Sequence, residues 1–89
     1  MTKISLERVI QIALEYYQLK QYKQVTKILQ RLMQHGIQDG GIYLLVGNAY
    51  YCLGQYQLAV QAYSEGIRIH ADSADLHANL GNAYIQRIL

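Results

Sequence analysis

The side chains in this sequence that could carry chemistry are few, and their spacing leaves them little to do. Three histidines (His35, His70 and His77), one cysteine (Cys52) and six acidic residues make up the whole supply of candidate catalysts and metal ligands. A zinc site needs closely spaced histidines or cysteines, so that one element presents two ligands to the ion. His70 and His77 lie across a helix boundary and lack a third ligand, so no metal site is expected. Asp72 and Asp75 read more simply as a helix cap and a first-turn charge. Gly40-Gly41 lacks the following lysine and the preceding strand of a phosphate loop. Cys52 has no companion base to activate it and reads as packing or groove lining. The expectation is no catalytic, cofactor-binding or metal-binding residue, and no enzyme.

Composition turns attention from chemistry to contact. The 89 residues contain no proline, tryptophan or phenylalanine, and nine tyrosines carry all the aromatic volume. Tyrosine packs its ring while keeping its hydroxyl wet. A single cysteine builds no disulfide framework, so a reducing compartment is expected, and with it a cytoplasmic location. The start, Met-Thr-Lys-Ile-Ser-Leu followed by Glu7 and Arg8, offers no apolar segment for a signal peptide. No apolar run approaches the roughly 20 residues that span a bilayer, so no membrane insertion is expected.

The formal charge of +2 is too small to imply a nucleic-acid partner, but it is unevenly spread. Residues 1–38 sum to +4 and residues 39–89 to −2. Lys20, Lys23, Lys27 and Arg31 recur at spacings of three and four, which places them on one helical stripe. Such a stripe is ordinarily a solvated outer face, and a docking strip for an acidic partner is the sharper alternative.

The elements that must position these residues show themselves by repetition. Gly47-Asn48-Ala49-Tyr50 returns as Gly81-Asn82-Ala83-Tyr84, an offset of 34 residues, and the same step backwards lands on Ala13-Leu14-Glu15-Tyr16. A fixed period of this size signals a helical repeat array. The chain reads as one domain of five helices. Ser5 caps the first, whose face of Ile12, Ala13, Tyr16 and Leu19 ends near Lys20. The second runs from about Tyr22 to His35, turns Val25, Ile28, Leu29 and Leu32 to one side, and stops at Gly36. The third runs from about Ile42 to Cys52, the fourth from Tyr56 to His70, and the fifth from Ala74 to Leu89 behind Asp72-Ser73. No strand alternation is sustained.

In this frame the segment 40–73 resembles the tetratricopeptide repeat, with Tyr43, Val46-Gly47, Tyr50, Ala59, Tyr63 and Gly66 at the places of its size pattern. Residues 6–39 follow more loosely through Val9, Ile12-Ala13, Tyr16, Val25, Leu29 and Leu32, with Lys20 where Gly54 makes the turn. Residues 74–89 supply one further helix with His77, Leu80-Gly81 and Tyr84. The resemblance implies an all-α, right-handed superhelical array of antiparallel helix pairs. Small residues would let helices approach, rings from the first helix of each pair filling the gaps. The proline usual near the repeat end is absent, Ile37 and Ala71 standing in its place.

The family implies protein-protein contact through a concave face lined by the first helix of each repeat. Carried over residue by residue, the expected groove is Ile10, Leu14, Tyr17, Leu44, Leu45, Asn48, Tyr51, Asn79 and Asn82. Apolar side chains on one side would suit a peptide or helix, and the asparagines would hold its backbone. Members that clamp acidic chaperone tails use basic groove residues, whose positions here are Ile10, Asp75 and Asn79, so that function is not expected. The implied role is an adaptor, scaffold or chaperone-like module with a protein or peptide partner. The alternative is self-assembly into a homo-oligomer, with Tyr84, Ile85, Ile88 and Leu89 as apolar surface awaiting a neighbour.

Overall fold

The computed structural model describes residues 5–89. Among them are five α-helices and no strands: α1 (Leu6–Gln18), α2 (Tyr22–Gln34), α3 (Gly40–Cys52), α4 (Tyr56–Ile69) and α5 (Ala74–Ile88). The helices stack in chain order into a body of 47 × 26 × 19 Å. Each packs chiefly on its chain neighbours, and α5 also reaches back to α3. This is a solenoid-like arrangement in which the core runs along the chain.

Local chemistry sets the helix starts. The Ser5 and Ser73 hydroxyls accept from the amides of Arg8 and Leu76 at 3.2 and 3.3 Å. The Asp39 carboxylate accepts from Gly41 at 2.7 Å, and α3 therefore begins at Gly40, two residues before the expected Ile42. The two glycines are its first turn, where a capping carboxylate offsets their poor helix propensity. The helix ends fall within a residue or two of expectation, except that Leu19 lies beyond α1 and is 67% exposed rather than part of its buried face.

The turns after α1 and α3 are the same object. Gln21 donates to the Tyr16 carbonyl at 2.9 Å and Gln55 donates to that of Tyr50 at 2.9 Å. The residue that carries the reversal is left-handed in both, Lys20 at φ 60° and Gly54 at φ 75°. A glycine adopts that conformation freely, whereas a lysine does so at a cost. Lys20 thus keeps the turn in place without the residue that suits it.

The core is Ala13, Val25, Leu29, Ile42, Val46, Ala49, Tyr50, Ala59, Val60, Ala62, Tyr63, Leu76 and Ala83. Within it the helices come close at Gly47, where an added Cβ would run into the Tyr63 ring. Gly40 likewise seats the ring of His70. The Tyr63 ring of α4 and that of His70 just after it drop onto glycines of α3, while Tyr43 of α3 lies against Gly66 of α4, so side chains of both helices, and not of the first alone, fill the gaps. The physical reason is reach: a long side chain on one antiparallel helix meets the bare backbone of the other.

Candidate functional site

Two adjoining cavities run along α1, α3 and α5. One, of about 280 Å³, is lined by Ile10 and Leu14 of α1 and by Asp39, Gly41, Ile42, Leu44, Leu45 and Asn48 at and after the start of α3. The other, of about 270 Å³, is lined by Tyr17, Asn48, Tyr51, Cys52, Tyr63, Asn79 and Asn82. They meet at Asn48. All nine residues expected in a groove line one cavity or the other, those of the apolar end in the first and the amides and tyrosines in the second. Leu14 is 45% exposed, so a large part of the apolar end faces solvent.

Asn48 is held from two sides. The Tyr63 hydroxyl donates to its Oδ1 at 2.5 Å and Asn79 Nδ2 donates to the same oxygen at 2.9 Å. The acceptor of Asn48 is thus spent within the protein, and its Nδ2 keeps two N–H donors for anything placed in the groove. Tyr63 belongs to this wall although it comes from α4. The buried end of its ring rests on Gly47 and its hydroxyl emerges beside Asn48. The signal for it was the tyrosine at a core place of the repeat pattern, since a buried tyrosine usually finds its hydroxyl a partner.

The two groove tyrosines of α1 and α3 are each braced by a second one. Tyr17 meets Tyr22 edge to face at 5.4 Å, and Tyr51 meets Tyr56 in the same way at 5.2 Å. The pairs are related by the 34-residue step, so the brace is part of the repeat. Burial is the main cause that raises the Tyr17 hydroxyl above its ordinary pKa, with the neighbouring Cys52 thiol adding to it. Hydrogen bonding to Cys52 does the same for Tyr22. The Tyr63 hydroxyl is pushed well above the usual tyrosine value, again chiefly by burial. Tyr17 and Tyr63 therefore face the groove uncharged at neutral pH.

The remaining chemical groups lie elsewhere. His70 packs over Gly40, and His77 Nε2 lies 2.6 Å from the Ala71 carbonyl, so each serves its own helix junction. Among the described residues no three His, Cys, Asp or Glu side chains gather to hold a metal. Lys20, Lys23, Lys27 and Arg31 are all exposed along α2 and its approach. Among the described residues no helix is long and apolar enough to cross a membrane.

Helix pairs stacked with one long open face are the architecture of helical repeat arrays. Residues 47–86 match the TPR repeat family, and that match with the five helices fits a TPR-like repeat protein. The family is in general a non-catalytic module for protein-protein interaction. No curated protein matches the chain significantly.

Proposed function

We propose that this chain is a protein-interaction module, an adaptor, scaffold or chaperone-like unit, that takes an apolar peptide or helix of a partner into the groove. The observation that carries the reading is the continuity of the two cavities through Asn48, which joins an aliphatic trough to an amide-bearing one. Ile10, Leu14, Leu44 and Leu45 would bury the partner's apolar side chains at roughly 25 cal/mol per Å² removed from water. Asn48 would donate to its main-chain carbonyls. Tyr17 and Tyr51, braced by Tyr22 and Tyr56, form walls that need no reordering, so less entropy opposes binding. The setting is a reducing one, the cytoplasm, where Cys52 stays a thiol. Neither catalysis nor a cofactor, nucleic acid or membrane insertion enters this role.

The test is selection of binders from a displayed random-peptide library, followed by titration of the selected peptides against Leu14→Glu with Leu44→Glu. Apolar peptides that bind the unmodified chain and lose at least tenfold in affinity to a variant of equal helicity support the groove. Peptides that bind both alike, or no selected peptide at all, overturn it.

A further inference from the structure

The exposed face of α2 carries positive charge that no other group among the described residues answers. Lys23, Lys27 and Arg31 follow one another along it at steps of four, Lys20 stands in the turn that leads in, and all four are exposed. α2 itself holds no acidic residue. The ion pairs among the described residues are Arg8 with Glu15 and Arg68 with Glu65, so the four cations of the row have no acidic partner there.

The fold does not need this row and is less stable for carrying it. Lys20 takes the left-handed conformation, at φ 60°, that Gly54 takes in the next repeat. Backbone strain of this kind collects where a side chain serves a function. No side chain caps α2 and no carboxylate stands in its first turn, so Lys23 adds positive charge where the helix dipole already puts it. Lys23, Lys27 and Arg31 also repel one another at their four-residue spacing. One repeat further on, the places of Lys20, Lys23, Lys27 and Arg31 are held by Gly54, Gln57, Gln61 and Glu65, and Glu65 is paired with Arg68 at 3.0 Å. The same outer face is therefore built in α4 without net positive charge.

We propose that the outer face of α2 is a second docking surface, and that its occupant is an acidic helix of a partner protein with carboxylates at steps of four. Lys23 and Arg31 stand about 12 Å apart along the helix axis at 1.5 Å per residue. A partner helix laid alongside has the same rise, so carboxylates four residues apart fall opposite each cation in turn, and a fourth lies toward Lys20. Each pair is a charge-assisted hydrogen bond, and Arg31 can hold its carboxylate with two. Gln24, Gln30 and Gln34 are the exposed amides of the same helix, so the contact is polar and weakens with salt. A nucleic-acid duplex or an anionic bilayer is a broader surface. It would also reach α4, which adjoins α2 across a cavity whose walls include Met33, Leu58, Gln61 and Glu65 and which offers a polyanion no net charge. A single acidic helix meets the row alone. No residue of α2 lines the groove, so the two surfaces can be occupied together and this pairing stands independently of what the groove binds.

Fluorescence anisotropy at low ionic strength tests it. The probe is a labelled alanine-based helical peptide carrying four glutamates at steps of four, set against a peptide of the same composition and helicity whose glutamates are spread round the helix. The aligned peptide should bind, release as salt is raised, and lose roughly fivefold or more in affinity to Lys23→Gln with Lys27→Gln. That variant copies the residues of α4, and circular dichroism should show its helicity unchanged. Lys20→Gly should bind the aligned peptide more weakly while raising the denaturant midpoint, a combination that general damage to the fold does not produce. The proposal is overturned if neither peptide binds, if both bind alike, or if the glutamine variant binds as well as the unmodified chain. Tighter binding of a DNA duplex or of phosphatidylserine vesicles than of the aligned peptide overturns it as well.

Discussion

Gly47 and Gly81 hold the same place in successive repeats, and a single methyl group should separate them. At Gly47 the new carbon enters the buried Tyr63 ring, and overpacking of this kind costs about 1–3 kcal/mol. At Gly81 it meets open space, and alanine improves on glycine in a helix by up to about 1 kcal/mol. Thermal unfolding of Gly47→Ala and Gly81→Ala should therefore shift in opposite directions. Tyr63 supports a second residue-scale prediction. Its pKa is raised in the folded chain, so its contribution to stability is whole below the ordinary value of 10.0. It is lost as pH rises from there through the folded-state value, because the unfolded chain releases the proton first. Tyr63→Phe should cost about 1 kcal/mol at neutral pH, as Asn48 loses a donor. The variant should also lose less stability between about pH 8 and about pH 11 in urea titrations.

At the scale of the elements, the turn after α1 carries strain that the turn after α3 avoids. Lys20→Gly should stabilise the chain by about 1 kcal/mol, and Gly54→Ala should destabilise it by about as much, the backbone being left-handed at both positions. Denaturant midpoints measure both. The placement of this turn followed from the 34-residue step, whereas Lys20 itself gave no sign of the conformation it adopts. Helix existence was legible because periodic apolar residues, Ser5, Ser73 and Gly36 each act within a few residues along the chain. The start of α3 was less so, because glycine propensity argues against a helix there and only the Asp39 cap reverses it. The groove list could be written from repeat positions alone. Its Tyr63 wall and the spent oxygen of Asn48 could not, since both depend on the register between helices.

Across the whole molecule the buried side chains are unequally shared. Ala13 is the single buried residue of α1, whereas α3 has six and α4 has five. Arrays that are wired mostly between neighbours open where the local interface is weakest. Hydrogen exchange followed by mass spectrometry should find α1 exchanging first and α3 and α4 last. Uniform protection from α1 to α5 would contradict this. The same neighbour-to-neighbour wiring has a mechanical consequence. A load applied between the two ends passes through the helix interfaces in series, so the stack stretches as links of unequal strength. It should yield first between α1 and α2, peeling away Ile10 and Leu14 while Asn48, Tyr63 and Asn79 stay joined. Tension would empty the aliphatic half of the groove before it disturbed the amide half.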